Sequence, residues 1–306
     1  MSRPDLAIIV ALTGPAGPGL AENLARFAEE AGPRGEVVVV ASGSTGIIPK
    51  GGARVIGRPV GRLAPELWRD GLLETDSTLV AFTTARMRPR PGWLAALRDR
   101  IEATGAAGVG GPIAPGAGLS GVDRAVALLR YANYFPPLPN RSAIEPPGDN
   151  ALYRRDRLMR VRSSWRDGFW ETEVHRALRD QGESLAMAEG AVVAFLGGDG
   201  LRAMIGQRFR HARRYAIGRS SGLGPAARSI RVATSPLVPP LLGWRIARTL
   251  RERDIDLRPW LAAGPAWLAL ATIWAIGEAL GTWAGGPVAT PEPERPNTNL
   301  PFRKAG

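Results

Sequence analysis

The sequence contains no cysteine and almost no lysine. Without cysteine, disulfide bonds and thiolate metal sites are excluded, and the redox compartment cannot be inferred from the sequence. Only Lys50 and Lys304 are lysines, so the net charge of +12 is carried almost entirely by arginine. The guanidinium group is weakly hydrated and presents a planar fork of donors that suits phosphate groups. The composition therefore favours phosphate-rich partners, namely nucleotides, anionic lipid or nucleic acid.

Long apolar runs are also scarce. Charged residues make up 22% and hydrophobic residues 44% of the 306 positions, which is ordinary for a globular protein with a sizeable core. The N-terminus leads directly into a strand pattern, and no secretory leader is expected there. One stretch, residues 261–286, is apolar except for Glu278 and is long enough to cross a bilayer.

Apolar runs and helical periodicities alternate through the first 200 residues. Strands are expected at about 6–12, 36–41, 53–56, 77–82 and 106–113, with a short strand pair within 186–196. Helices are expected at 20–28, 63–73, 91–101 and 122–134. Strand, helix and strand at this spacing predict parallel pairing with right-handed crossovers. The favoured architecture is therefore an α/β fold with a doubly wound, mainly parallel sheet.

A polar turn, residues 83–88, follows the strand at 77–82. In open α/β sheets ligands lie beyond the carboxyl ends of the strands, so this turn should face a ligand. After the turn come Pro89, Pro91 and Trp93, and the frame resembles that of the family 2 inverting glycosyltransferases of the GT-A fold.

That family carries an Asp-x-Asp motif in this turn, which holds a divalent metal on the diphosphate of a nucleotide-sugar. The aligned residues here are Thr84-Ala85-Arg86, which offer a metal no carboxylate. The resemblance thus implies donor binding by Thr84, Arg86 and Arg88, and no metal is expected at the usual motif.

A second donor segment follows the strand at 36–41. The family usually has Asp-x-x-Ser-x-Asp there, whereas this chain has Ala41 and Gly46 in place of the acids and retains Ser44 and Thr45. The resemblance implies that Ser44 and Thr45 bind the donor, and a Gly/Ser turn can hold phosphate through its backbone N–H groups. An ordinary strand-to-loop turn is an equally good interpretation.

Two further segments resemble the acceptor side of the family. Residues 147–156 are similar to the Gly-x-Asn-x-x-x-Arg-Arg segment, which implies acceptor or phosphate contacts from Asn150, Arg154 and Arg155. The helix expected after Trp170 resembles the one that carries the general base, and this role falls on Glu171. A carboxylate at a helix start is stabilised by the exposed N–H groups there.

A simpler interpretation is that Glu171 and Glu173 are only first-turn acids of an amphipathic helix. His175 lies one turn after Glu171 and could contact it. A lone histidine is more often a surface residue than a catalytic one.

The segment 207–216 is similar to the family's Gln-x-x-x-Arg segment, and this similarity implies phosphate or acceptor contacts from Gln207, Arg210 and Arg213. A basic amphipathic helix on anionic lipid is the alternative. Residues 236–244 are expected to be interfacial or re-entrant, and residues 261–286 to associate with or span the membrane. The arginine-rich side of that stretch is expected to be cytoplasmic.

The expected organisation is a glycosyltransferase-like domain at 1–200, a basic and membrane-associated helical segment at 201–286, and a disordered tail at 287–306. The leading hypothesis is an inner-membrane glycosyltransferase whose catalytic domain faces the cytoplasm. It would move a sugar, with inversion, from a nucleotide-sugar to a lipid-linked or glycan acceptor.

The main alternative is a non-catalytic protein of the same fold that binds a nucleotide, glycan or partner enzyme at the membrane. The acids missing at positions 41, 46, 84 and 86 favour it. A third hypothesis, nucleic-acid binding, rests on charge alone, and charge reports on non-specific partners rather than on function. No specific nucleic acid is expected.

Overall fold

The computed structural model describes residues 4–15, 17, 19–43, 52–138, 145–198, 200–220 and 222–285. The strands are Leu6–Leu12 (β1), Gly35–Ser42 (β2), Arg54–Arg58 (β3), Leu79–Thr84 (β4), Met87–Pro89 (β5), Gly108–Gly110 (β6), Ile113–Pro115 (β7), Asn150–Arg154 (β8), Leu185–Met187 (β9) and Val193–Phe195 (β10). The α-helices are Leu20–Ala31 (α1), Ala64–Leu73 (α2), Trp93–Thr104 (α3), Gly121–Tyr131 (α4), Arg155–Arg160 (α5), Glu171–Asp180 (α6), Leu201–Ser220 (α7), Pro225–Thr234 (α8), Val238–Glu252 (α9) and Gly264–Ala284 (α10).

A seven-stranded sheet, in the order β3-β2-β1-β4-β8-β6-β9, forms the centre of the molecule. The β1 strand pairs in parallel with β2 and with β4, and only β8 runs antiparallel to its neighbours. Every residue of β1 is buried, because alternate side chains enter two different cores. Ile8 and Val10 belong to one buried cluster, and Ile9 belongs to the other. The prediction of a mainly parallel α/β sheet is confirmed.

The predicted strand at 106–113 is wrong as a single element. It divides into β6, in the large sheet, and β7, which joins β5 and β10 in a separate three-stranded sheet. The break falls at Gly111-Pro112, where proline has no N–H to donate to a sheet ladder. The predicted strand pair at 186–196 divides in the same way, because β9 pairs with β6 whereas β10 pairs with β5 and β7.

The start of the third helix also differs from the prediction. It begins at Trp93 rather than at Pro91, and Gly92 precedes it with a φ of 78°. That left-handed backbone turns the chain out of β5 into the helix, and it favours glycine because other residues would be strained there.

An antiparallel strand that the sequence patterns did not predict, β8, lies between β4 and β6. Its register places Asn150 opposite Thr83, at the carboxyl end of β4, and Arg154 opposite Leu79, at the other end. Residues at the two ends of β8 therefore face opposite edges of the sheet.

The last four helices follow the sheet domain. The stretch predicted to be interfacial or re-entrant is helical: residues 236 and 237 end a short 3-10 helix, and residues 238–244 form the start of α9, which has Pro239 and Pro240 in its first turn. Within the described residues, the segment Arg258–Ala284 is the one helical segment long and apolar enough to cross a membrane; its mean hydropathy is 1.4, and 28% of its apolar window is buried. The tail predicted to be disordered, 287–306, lies outside the described residues.

Candidate functional site

Helix α7 lines two cavities. One, of about 590 Å³, is lined by Glu171 together with Arg208 and His211 of α7; we call it the Glu171 cavity. The other, of about 600 Å³, is lined by Gln207 and Arg210 of the same helix; we call it the arginine cavity. Residues three apart share a helix face, so one turn of α7 contributes side chains to both cavities.

Glu171 is the first residue of α6 and is half-buried. Its Oε1 accepts a hydrogen bond of 3.2 Å from the backbone N–H of Gly148. Burial raises the pKa of Glu171 above its usual value. The Asp149 carboxylate also raises this pKa. The backbone N–H of Glu171 itself lowers it, and His175 and Arg130 lower it more weakly. A carboxylate with a raised pKa in a cavity is suited to accept a proton.

A chain of close contacts connects Glu171 with the carboxyl end of β4. A Cβ built on Gly148 would lie 2.7 Å from the indole ring of Trp68. That indole donates a hydrogen bond of 2.7 Å from Nε1 to the carbonyl oxygen of Thr83. Glu171 therefore lies close to the edge where the parallel strands end, which is where ligands bind in open α/β sheets.

An ion pair and an isolated cation line the wall of the Glu171 cavity. Arg130 Nη2 donates to Asp149 Oδ2 at 2.8 Å. Burial would lower the pKa of Arg130, but attraction to Asp149, Tyr131 and Glu171, together with the hydrogen bond to Asp149, raises the pKa above its usual value. Asp149 Oδ1 and Arg208 Nε are buried without a hydrogen-bond partner among the described residues. Since both atoms belong to residues that line the cavity, a polar ligand or an ordered water there would satisfy them.

Arg208 is 9% exposed, and its guanidinium lies 4.3 Å from the centre of the Trp274 ring in α10. Burial, reinforced by repulsion from Arg130, lowers the pKa of Arg208 to about 9. The same two effects, with Arg208 itself adding to the repulsion, lower the pKa of His211 to about 3, so this imidazole is neutral. Arg208 is therefore a buried cation of this cavity with no acidic partner among the described residues, and binding of an anionic group would stabilise it.

The arginine cavity begins where β1 ends. Thr13 lines it, and its Oγ1 accepts a hydrogen bond of 3.4 Å from Gln207 Nε2. Arg62, Arg202 and Arg210 supply three cations to its wall. Of these, Arg62 is paired with Glu66 at 2.9 Å.

Arg86 lies beside this region, in the turn after β4. Its Nη1 would be 3.1 Å from a Cβ on Gly17 and 2.8 Å from one on Gly198, so the guanidinium lies against the loop that follows β1. Thr84 ends β4 and is 8% exposed.

The donor set of this turn does not fit a divalent cation, because it places an arginine where hard cations need oxygen ligands. Across the part of the chain that the structure describes, no group of three or more His, Asp or Glu residues could hold a metal ion.

Two residues predicted from the resemblance make contacts within the fold. Arg88 Nε donates to Asn23 Oδ1 at 3.0 Å, and Arg88 Nη2 pairs with Glu22 of α1 at 3.1 Å. The amide of Asn150 is fully buried: it accepts from Trp93 Nε1 at 2.7 Å and donates to the carbonyl oxygens of Pro112 and Ala191 at 2.9 and 2.8 Å. The contacts of Asn150 hold β8, α3 and the loops beside β7 and β10 together.

The structure does not bring Arg154 and Arg155 to either cavity. They line a separate cavity at the opposite edge of the sheet, with Asp76 and Glu102. Arg154 donates to the carbonyl oxygens of Ile101 and Ala106, and Arg155 donates to that of Leu72. The cause is the antiparallel direction of β8, which carries the chain away from the ligand-binding edge after Asn150.

His175 is fully buried, contrary to the expectation of a surface residue. Its Nε2 lies 2.8 Å from Tyr153 Oη, and its Nδ1 lies 3.1 Å from Glu145 Oε2. The hydrogen bond to His175, with help from Arg179, lowers the pKa of Glu145 to about 2 against the effect of burial. The histidine therefore belongs to a buried network behind Glu171.

The remaining predicted residues fall into two groups. Ser44 and Thr45 lie outside the described residues. The side chain of Arg213 is exposed and does not line either cavity. Sequence reasoning missed Arg62, Arg130, Asp149, Arg202 and Arg208, which belong to no motif. For Arg202 and Arg208 the available signal was the density of arginine in 201–220, which does not show which of these side chains line a cavity.

Comparisons with known proteins identify similar structures. No protein-family profile matches the sequence, and no curated protein matches it. Many solved structures are similar to the chain, including the following three. A mannosyltransferase from Pyrobaculum calidifontis, solved with GDP-mannose and Mn²⁺, is 18% identical; the match covers 92% of this chain and 75% of that one, with a TM-score of 0.49.

Glucosyl-3-phosphoglycerate synthase from Mycobacterium tuberculosis, solved with phosphoglyceric acid, is 16% identical over 68% of this chain and 78% of that one, with a TM-score of 0.46. A further mycobacterial protein is 16% identical over 68% and 73% of the two chains, with a TM-score of 0.45.

Proposed function

We propose that this protein is a membrane-associated glycosyltransferase of the family 2, GT-A type. It moves a sugar from a nucleotide-sugar to an acceptor hydroxyl with inversion. The observation that carries the proposal is Glu171: a half-buried carboxylate with a raised pKa, beside a cavity that also contains the unpaired Asp149 Oδ1 and Arg208 Nε. Perturbed acids and unsatisfied polar atoms in one cavity are typical of a catalytic site.

The arginine cavity suits the donor. Its position at the end of β1 and the cations Arg62, Arg202 and Arg210 support binding of a diphosphate. Arg86 lies on the neighbouring loop, and its guanidinium would add to the positive potential there. These arginines would offset the charge of the departing diphosphate, so we propose that transfer needs no metal at this turn.

The Glu171 cavity suits the acceptor. The Glu171 carboxylate accepts the proton of the acceptor hydroxyl as its oxygen forms a bond to the anomeric carbon. That carbon is attacked on the face opposite the diphosphate, whose oxygen leaves with the electron pair of the broken bond. The products are an inverted glycoside, a nucleoside diphosphate and a protonated Glu171.

The walls of the Glu171 cavity support an acceptor with an apolar part. Leu241 and Leu242 of α9 and Trp274 of α10 face the same cavity as Glu171. We therefore propose a lipid-linked or cell-envelope acceptor, as in polysaccharide biosynthesis. Residues 1–200 would form the catalytic unit and 201–286 the membrane-associated unit. Attraction of the arginine-rich helices to the anionic cytoplasmic leaflet supports attachment at the inner membrane, with the catalytic domain on the cytoplasmic side.

The test is a panel of nucleotide-sugars incubated with the purified full chain, with and without a chelator. One donor should be hydrolysed slowly or its sugar transferred to added lipid acceptors, and chelation should leave the rate nearly unchanged. Loss of all activity on chelation would contradict the metal-independent form of the proposal. Tight binding of a donor with no turnover would contradict catalysis itself.

A non-catalytic role is the second candidate. Asn150, which the resemblance assigns to the acceptor side, uses its amide within the fold instead. The acids missing at positions 41, 46, 84 and 86 also favour a protein that binds a nucleotide, a glycan or a partner enzyme. Donor binding without turnover in the same panel is the result this candidate predicts.

A further inference from the structure

Helices α7 and α10 lie side by side and run in the same direction. Trp274 of α10 contacts Arg208, whereas Thr282, two turns later, lies 3.4 Å from Ser220 through their hydroxyl oxygens. Between these points, a Cβ on Gly277 would lie 2.8 Å from the carbonyl oxygen of Phe209. The two helices are therefore in close contact, and their residue numbers rise together.

The same close packing continues towards the end of α10. A Cβ on Gly281 would lie 2.5 Å from the carbonyl oxygen of Arg213. The two helices have 20 and 21 residues, so each is about 30 Å long. If α10 crossed a bilayer in this arrangement, α7 would have to enter the bilayer beside it.

The composition of α7 opposes such an insertion. Next to the middle and second half of α10 it carries five arginines, at positions 208, 210, 213, 214 and 219. At the centre of a span, an arginine opposes insertion at least about four times as strongly as a leucine or isoleucine favours it. Since α10 has five leucine and isoleucine residues, the five arginines outweigh them about fourfold on that scale.

The first half of α10 is also part of the domain core. Leu270 is fully buried and belongs to the same buried cluster as Ile113 of β7 and Leu128 of α4. Glu278 is held within the protein, where it accepts from Trp274 Nε1 at 3.2 Å and lies 3.8 Å from Arg219 of α7. These contacts hold α10 against the domain along both halves.

An exposed apolar surface nevertheless lies on the C-terminal helices. Most of the large apolar side chains exposed among the described residues lie in segment 230–283, and we call them the apolar C-terminal surface: Ile230, Leu237, Leu241, Trp244, Leu261, Leu268, Ile276, Leu280 and Trp283. The four from α10 fall on one stripe, because their spacings of 8, 4 and 3 residues return to one helix face. Exposed apolar patches of this kind mark interaction sites.

The charge around this surface selects its partner. Arg228 and Arg231 of α8 and Arg245, Arg248 and Arg251 of α9 lie on the same helices, and within α8 and α9 the one acidic residue is Glu252. The Arg248 guanidinium lies 5.7 Å from the ring centre of Trp244, which joins a cation to an interfacial aromatic residue. A second copy of the chain would bring two arginine-rich faces together, whereas an anionic bilayer attracts them.

We propose that the apolar C-terminal surface inserts into one leaflet of an anionic bilayer, and that α10 lies in the plane of that leaflet without crossing it. Apolar side chains on one face and arginines beside them are typical of helices that lie in the interface. The inference deepens the membrane attachment proposed above and rests on it. Its test needs no donor or acceptor, so it can fail separately from the proposed reaction.

The test uses the absence of cysteine in the chain. Ala262→Cys and Ala284→Cys place single thiols at exposed positions before and at the end of α10. Each full-length variant is synthesised in the presence of closed vesicles of phosphatidylcholine and phosphatidylglycerol, and a membrane-impermeant maleimide is added outside. We expect both thiols to react to the same extent before and after detergent opens the vesicles. Protection of either thiol until the vesicles are opened would mean that α10 crosses, and it would overturn the proposal.

A flotation assay tests the surface itself. Leu280→Ser should weaken binding to these vesicles about tenfold, the effect of losing one inserted apolar side chain. Val60→Ser is the matched control, because Val60 is equally apolar and 86% exposed but lies outside the surface. Unchanged thermal unfolding shows that both variants are folded. The proposal would be contradicted if the two variants bound the vesicles equally, or if the wild type bound pure phosphatidylcholine vesicles as well as the anionic ones. It would also be contradicted if the wild type were a dimer that Leu280→Ser dissociates.

Discussion

The backbone of Gly148 lies so close to the side chain of Glu171 that a Cβ at residue 148 would come within 2.5 Å of Glu171 Oε1. No side chain fits there while the carboxylate keeps its place. The Gly148 N–H also donates a hydrogen bond to the same oxygen, which holds the carboxylate in place. The local backbone therefore sets the position of the proposed base.

The first prediction concerns this contact. Gly148→Ala should displace Glu171 or Trp68 and destabilise the fold by about 1–3 kcal/mol, as overpacking does. The transfer rate should fall by more than the loss of folded protein explains, because the displaced group is the proposed base. Gly190→Ala is the control, since a Cβ there would meet only Ala96, at an ordinary 3.5 Å. Thermal unfolding and transfer rates of both variants provide the measurement, and wild-type transfer by Gly148→Ala would count against the assignment.

A second prediction concerns stability and pH. The folded-state pKa of Glu171 is raised, mainly by burial, so its contribution to stability is fully present below the unfolded pKa and is lost as pH rises through the folded pKa. At neutral pH the half-buried carboxylate destabilises the fold, and Glu171→Gln should raise the melting temperature, by about 2–4 °C for each kcal/mol gained.

The gain should disappear below the usual pKa of a glutamate, where both side chains are neutral. Melting curves over a pH series measure the effect. A variant that is less stable than the wild type at neutral pH would show that Glu171 is a structural residue.

The third prediction tests whether the arginine cavity binds the donor. Arg210→Ala removes a cation from the arginine cavity and should weaken nucleotide-sugar binding by about tenfold or more, the usual effect of losing a hydrogen bond to a charged group. Arg213→Ala, one turn away and exposed, changes the net charge equally and should bind the donor as the wild type does. Calorimetric titration with the donor found in the panel distinguishes them. Equal weakening by both would mean that only the overall charge matters.

Some strands of the sheet could be predicted from the sequence and others could not. The strands β1 and β2 were predictable because each is a continuous apolar run buried on both faces. The strand β8 was not, because its five residues pair antiparallel between β4 and β6, and this pairing is set by tertiary contacts. The resemblance implied acceptor or phosphate contacts from Arg154, whereas β8 carries this residue to the edge opposite the end of β4.

The candidate site also contains residues that the sequence pattern predicted and residues that it did not. Glu171 was identified because it occupies a helix start inside a segment that resembles a known pattern. Arg208 was not, since the arginines of α7 look alike in the sequence, and only packing against Trp274 makes this one buried and unpaired. The sequence pattern was therefore enough to predict a role for Glu171, whereas Arg208 became a candidate only once its packing was known.

The proposed transfer reaction requires Glu171 to accept the proton of the acceptor hydroxyl. The most direct measurement is single-turnover transfer by Glu171→Gln with the donor from the panel, compared with Glu173→Gln. Glu173 is in the same turn of α6 and is half-buried, but it does not line the cavity. We predict that Glu171→Gln binds the donor normally and transfers the sugar about two to four orders of magnitude more slowly, the usual effect of losing a positioned base, while Glu173→Gln remains near wild type. Transfer by Glu171→Gln at the rate of Glu173→Gln would contradict the account.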